Sequence, residues 1–533
     1  MKPSLLVGAP GSGKTNLAVS LLIQLWKERV PFLVLDPSTG QEFRFLLGER
    51  SLRKDMVVYT VGDPQGFPLR FNPFSIPPGV TVRNHCTNLL AAFRASMTMW
   101  DPLPAVFEGA LELLYTDERF CGSGRAMGME QQGDFESPAP SLQQFKSALE
   151  VQLEQVLAQY KGSEQSIGVI RGGSVVRVEA IIKKLGSILN VPGNGGAFFQ
   201  RLLKRPAVVE LGALGDSANI ALLMAFMLGQ VSGHVEYAYR QMAREGKKRE
   251  HLILIEEAHR LLAGGEGAEG KSAEDLNTML AEVRKFGQGI MTLDQRPSSL
   301  VGGVLDNAFV KILTRLSDKV GFERLSEELN LDEAQRRFAH TRLKAGDAIL
   351  LDREAGMPVL VRGDNVKDAL EENKLEGSAF TDQARANAER WNLVPPEPGE
   401  EEEAFAPSEM VPEVPKATEV PRPVAAAPSV EGVRRQLVRE FEELIGHFLT
   451  GERPKFAFHT HAALQKQPPD LDVALVAADQ AFDGQRQEFM EKAGQLWDRL
   501  KLTAVGEVAE LYQWKETTAR IGELMRQPAE GRV

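Results

Sequence analysis

Cysteine is almost missing from this chain. Cys86 and Cys121 stand alone among 533 residues, far apart and in no metal-ligand spacing, so neither a disulfide framework nor a zinc site is indicated. No stretch approaches the ~20 consecutive apolar residues of a membrane-spanning helix, and the first residues turn glycine-rich too soon for a secretory signal. A cytoplasmic protein with no transmembrane segment is expected. Basic charge is not in excess either. The net charge of −11 argues against a wholly basic nucleic-acid coat, and its distribution is uneven. Residues 397–533 hold 25 Asp/Glu against 16 Lys/Arg, while the first 396 are nearly balanced at 48 and 46. A balanced front part can still present a basic channel. The length implies roughly two to four domains around a sizeable core.

What is present is a phosphate-binding signature. Gly8-Ala9-Pro10-Gly11-Ser12-Gly13-Lys14-Thr15 follows the apolar run Leu5-Leu6-Val7 and precedes a helix predicted over residues 15–26. It matches GxxxxGK[ST] at a strand-to-helix junction. Glycines let backbone N–H groups curl around a phosphate, the helix aims its positive end at it, and Lys14 adds a point charge. Thr15 offers its hydroxyl to Mg²⁺, and Asn16 continues the loop into the helix. The residues thus predict ATP and Mg²⁺ as ligands, with 8–16 as the nucleotide contacts.

Short apolar runs at 32–35, 56–61, 207–211, 252–255, 289–293 and 308–313 predict buried strands alternating with helices, hence a mostly parallel, doubly wound α/β sheet. Residues 347–352 and 358–362, separated by a turn at 353–356, predict a closing hairpin. Between them the pattern divides the chain. Residues 1–80 and 206–390 read as an ATPase core, and 81–205 as a helical insertion broken by the polar loop 121–140. Residues 391–432 read as a disordered linker rich in Pro, Glu and Ala, and 433–533 as a small all-α C-terminal domain.

A triphosphatase needs acids at the end of a neighbouring strand, one for the metal shell and one to orient water. Glu256 and Glu257, directly after Leu252-Ile253-Leu254-Ile255, supply them. Glu256 is assigned to the metal with Thr15, and Glu257 to water activation. The alternative is the start of a solvated helix face.

With these motifs in place, Glu256-Glu257-Ala258-His259-Arg260-Leu261, Leu280-Ala281-Glu282-Val283-Arg284-Lys285-Phe286-Gly287, Asp294-Gln295-Arg296-Pro297-Ser298 and Arg70-Phe71-Asn72-Pro73-Phe74 together resemble the HerA/FtsK superfamily of ring-forming ATPases, from about residue 2 to 363. The resemblance implies a RecA-like P-loop core, a hexameric ring, and ATP hydrolysis that drives double-stranded DNA through the pore. By the same likeness Gln295 is the sensor of the γ-phosphate or attacking water, and Arg284 the arginine donated to a neighbouring subunit's nucleotide. A guanidinium there would neutralise charge building on the transferring phosphoryl oxygens. Lys311 and Arg315 are further candidates for a contact in trans. A surface role is the alternative for each of these four.

Glu256 stands where the family usually has aspartate. With the phosphate loop at Gly8, the N-terminal barrel of HerA proteins and the membrane helices of FtsK are not expected, and the C-terminal helical domain is the candidate for docking a protein partner or for capping an oligomer. The 264–271 loop and Lys247-Lys248-Arg249 are candidate DNA contacts, or plain solvated charge. Three functions remain open: a DNA-translocating motor, a type IV secretion-like ATPase driving protein or pilus export, and a nucleotide-dependent ring scaffold for an effector.

Overall fold

The computed structural model describes residues 2–396, apart from 101, 122–125, 138, 160–167, 169, 192–195, 247–249 and 263–267. The expected linker beyond 396, the C-terminal helices, the Lys247–Arg249 cluster and residues 264–267 lie outside the described residues. Residues 268–271, expected to belong to a loop, begin the helix Ala268–Glu282.

Among the described residues nine strands form one sheet: β1 (Ser4–Val7), β2 (Phe32–Asp36), β3 (Val57–Thr60), β4 (Ala207–Glu210), β5 (His251–Ile255), β6 (Gln288–Asp294), β7 (Val310–Leu313), β8 (Asp347–Asp352) and β9 (Val359–Arg362). Their order is β3-β4-β2-β5-β6-β1-β7-β8-β9. The first seven are parallel, with β1 between β6 and β7. The expected hairpin, β8 and β9, extends the sheet antiparallel from β7. The fold is therefore a mostly parallel, RecA-like α/β sheet.

The strands read as unbroken apolar runs because both faces are covered, so a polar residue on either face would be buried. Side chains alternate sides. Leu5, Val7, Leu33, Leu35, Ile253 and Ile255 join one apolar cluster, while Leu6, Phe32, Val34, Leu254 and Leu293 join the other. The helix Lys14–Lys27 packs on the second face through Ala18, Val19, Leu22 and Ile23. The first face is covered by the 28-residue helix Ser217–Arg244 and by the helices between β3 and β4, all within one continuous apolar core. Phe93 bridges them, stacking on Phe145 at 5.1 Å and meeting Phe107 and Phe226 edge-on at 5.2 and 5.4 Å.

The Asn72-Pro73 segment fastens these helices to the body. Asn72 Nδ2 donates to the carbonyls of Ala139, Pro140 and Val191, and Gln230 Nε2 donates to those of Pro73 and Ser75. By length and composition Ser217–Arg244 could span a membrane, yet 83% of its apolar window is buried inside the fold.

At the far edge the helix Gly377–Arg390 covers β3. Asn387 Nδ2 donates to the Arg53 and Met56 carbonyls, Tyr59 Oη donates to the Leu393 carbonyl at 2.7 Å, and Arg205 lies 3.2 Å over the Trp391 ring. Leu393 is fully buried. Within residues 391–396, expected to open the linker, Leu393 and Pro395 are buried on the body while Asn392 and Val394 stay exposed.

Candidate active site

In open parallel sheets ligands bind beyond the carboxyl ends of the strands, where neighbouring connections diverge. Residues following β1, β2, β5 and β6 all emerge at that edge, and they line a cavity of about 840 Å³.

The loop after β1 is shaped by its neighbours. Gly8 N donates to the Asp294 carbonyl and Ala9 N to that of Arg315. A Cβ on Gly8 would lie 1.7 Å from Thr314 Oγ1, so only glycine fits. Gly11 and Gly13 have φ of 72° and 91°, conformations that glycine adopts without penalty. Ser12 is fully buried with its hydroxyl 2.8 Å from Thr314 Oγ1. Its side chain shapes the loop from below. The helix then starts at Lys14 with no side-chain cap, so the backbone N–H groups of its first turn are available to an anion.

Lys14 reaches across to the end of β5. Its Nζ lies 3.2 Å from Glu256 Oε1 and 4.0 Å from Glu257 Oε1, and the Lys14 and Glu256 side chains are 6% and 8% exposed. Burial pushes the Glu256 carboxyl up to about 7, against the pull of Lys14. Its second oxygen, Oε2, is buried without a hydrogen-bond partner. Glu257 occupies the left-handed region at φ 48°. Gln295, just past β6, donates its Nε2 hydrogen bond to Glu257 Oε1.

Thr15 donates to Glu42. Burial alone would raise the Glu42 carboxyl, but Lys367, 2.8 Å away, and Thr15 hold it below its ordinary value. Asn16 was expected among the nucleotide contacts. Its side chain is taken up by the 364–367 segment, donating to the Asp364 carbonyl at 2.7 Å and accepting from Lys367 N at 3.1 Å, which leaves its backbone to meet a ligand.

Of the residues assigned from sequence, Lys14, Thr15, Glu256, Glu257 and Gln295 converge on this one cavity. Arg284 does not. It is exposed and lies near Ser4 and Asn307, before β6, whose seven residues put roughly 20 Å between it and Gln295. Lys311 is corrected outright: it is 1% exposed and ion-paired with Glu328 at 2.5 Å, so it cannot reach a neighbouring subunit.

Sequence reading missed several groups. Asp36, at the end of β2, is fully buried with Oδ2 unpartnered, and burial raises its carboxyl to about 6. An acid ending a strand beside the phosphate loop was the available signal, the same one that marked Glu256. The wall formed by Gly346, Arg362, Gly363 and Lys367 carried only its glycines as a hint. His259 and Asp294 also belong here, at 3.0 Å from each other.

No protein-family model matches the chain. It is 25% identical over 264 residues to the DNA double-strand break repair helicase HerA of Pyrococcus furiosus, covering 43% of this chain and 44% of that protein. HerA of Sulfurisphaera tokodaii is 29% identical over 183 residues, or 32% and 33% of the two chains. The chain spans less than half the length of the curated relatives it matches. Among solved structures, VirB4 of Thermoanaerobacter pseudethanolicus superposes with a TM-score of 0.47 at 14% identity, covering 68% of this chain and 91% of that one. In sequence the chain is thus similar to HerA proteins, and its ordered motifs and the parallel sheet that brings them together are those expected from the resemblance to the HerA/FtsK superfamily of P-loop ATPases.

Proposed function

We propose that this protein is an ATP-driven motor that moves double-stranded DNA, working as a ring of its own copies, hexameric by analogy with its superfamily. The observation that carries the reading is the convergence of Lys14, Glu256, Glu257 and Gln295 at the carboxyl ends of three adjacent strands, above an uncapped helix N-terminus. The HerA relatives, described as DNA repair helicases, supply the cargo.

The donor set fits Mg²⁺: Glu256 Oε2 is a buried carboxyl oxygen without a protein partner, and the Thr15 hydroxyl stands beside the same cavity. When bound, Mg²⁺ would supply positive charge to the β- and γ-phosphoryl oxygens. The backbone amides around Gly11–Lys14 cradle the β-phosphate. Lys14 swings from Glu256 to the γ-phosphate, which offers it a full negative charge. Glu257 accepts hydrogen from the attacking water, and Gln295 reports the state of the γ-phosphate to Glu257 through the bond they share. Arg284 serves the next subunit's nucleotide, a contribution worth about 10³–10⁵ in rate where such arginines have been measured.

ATP turnover measured with and without duplex DNA tests this reading. Duplex DNA should raise turnover several-fold. Lys14→Ala and Glu257→Gln should each abolish it, the second while still binding ATP. Full turnover in Lys14→Ala would refute the site, and turnover indifferent to DNA would refute the cargo.

A further inference from the structure

Glu257 has a polar neighbour at each of its oxygens. Gln295 donates to Oε1, while Oε2 lies 3.4 Å from His259 Nδ1. The imidazole is itself clamped. His259 N donates to Asp294 Oδ2 at 2.7 Å, and Nδ1 stands 3.0 Å from the same oxygen. Asp294 is fully buried at the end of β6, where its Oδ1 also accepts from Arg296 N at 2.8 Å. Nδ1 thus faces carboxylate oxygens, which accept and do not donate, so Nδ1 carries a hydrogen.

The turn itself needs this support. A left-handed conformation costs a non-glycine residue about 1–2 kcal/mol, and Glu257 adopts it. The next two residues are tied to β6: Ala258 N donates to the Leu293 carbonyl and His259 N to Asp294. One buried carboxylate therefore links the turn after β5 to the segment carrying Gln295.

The geometry points to His259 as a positioning residue: its Nδ1–H is donated to Asp294, and the imidazole so fixed stands against Glu257 Oε2, on the side away from Gln295, and keeps the carboxylate aimed into the nucleotide cavity. This rests on Glu257 being the group that activates water. A carboxylate bonded at one oxygen and confined by a fixed ring at the other is restricted in orientation, and orientation errors of an ångström can cost about a hundredfold in rate.

The test compares His259→Leu and His259→Asn with wild type and Glu257→Gln in the full-length protein, reading kcat, KM for ATP, affinity for a non-hydrolysable ATP analogue, and thermal midpoint. His259→Leu fills the space without a donor, and kcat should fall about 10–100-fold while KM and analogue affinity stay within about twofold. His259→Asn places its amide where Nδ1 stood and should recover most of the rate. Wild-type kcat in His259→Leu, loss of analogue affinity together with kcat, or an asparagine variant as slow as leucine would each overturn the role. Undiminished turnover in Glu257→Gln would bring down the underlying reading instead, and this inference with it.

Discussion

Lys14 Nζ lies 3.2 Å from Glu256 Oε1 in a site where both side chains are more than nine-tenths buried. Such a pair is held in readiness: each charge is tolerable only beside the other, and a triphosphate can substitute for the carboxylate as partner to the lysine. Because burial has already raised Glu256 to about 7, the carboxyl can take up a proton when its partner is removed.

That gives the first prediction. Glu256 is raised above its unfolded value of 4.5, so its contribution to stability is fully present below about pH 4.5 and is lost as pH rises through about 7. Lys14→Ala removes the lowering influence, and the loss should then continue to higher pH. Thermal midpoints from pH 5 to 9 should fall more steeply in Lys14→Ala than in wild type, and the slope should flatten in Lys14→Ala/Glu256→Gln. Equal slopes in wild type and Lys14→Ala would contradict the coupling.

Asp36 follows the same sign by a different route. Burial lifts it from 3.8 to about 6, against hydrogen bonds from Ser38. The neutral form is favoured in the fold, so stability is lost as pH rises through about 6, by on the order of 3 kcal/mol. Asp36→Asn preserves an acceptor for the Ser38 N–H and hydroxyl, 2.9 and 2.6 Å away. It should be more stable than wild type at pH 8 and indistinguishable at pH 4, as read by urea unfolding.

Gly13→Ala should damage the phosphate loop. A Cβ there would lie 2.9 Å from Gly346 N, at a φ of 91° that alanine resists. The same Gly346 N–H donates to the Ser12 carbonyl, so relieving the clash breaks the tie between loop and hairpin. A loss of more than about 1 kcal/mol and at least tenfold weaker binding of an ATP analogue are expected. Calorimetry and titration would show both.

Arg362 borders the cavity with its side chain 75% exposed, and its ion pair with Asp347 is a loose 3.8 Å. Such a pair adds little to stability, so Arg362→Ala should leave the thermal midpoint unchanged. It should raise KM for ATP a few-fold with kcat preserved, the mark of a contact made equally in ground and transition states.

Much of this architecture is legible in the amino-acid sequence, and the reason is physical. A strand buried on both faces has no polar option, so runs such as Phe32–Leu35 and Leu252–Ile255 announce themselves, and the acids that end them mark the site edge. Motif residues set by local geometry, Gly13 and Lys14 among them, are equally plain. Contacts across the chain are not. Asn16 meets Lys367 across 351 positions, and nothing near either residue signals it. Lys311 looks like surface charge because the Glu328 that buries it comes from a separate helix. His259 was part of a recognised motif, yet its partner Asp294 lies 35 residues on, and only the pairing of β5 with β6 brings the two together.

The central claim is that ATP is cleaved at a seam between two copies, with Arg284 reaching a nucleotide that its own chain does not hold. Mixing inactive Lys14→Ala with inactive Arg284→Ala subunits tests it most directly, because mixed rings contain seams that join an intact Lys14 to an intact Arg284. Turnover should reappear, greatest near equal proportions. Absence of turnover at every ratio, in mixtures shown to co-assemble, would contradict the account.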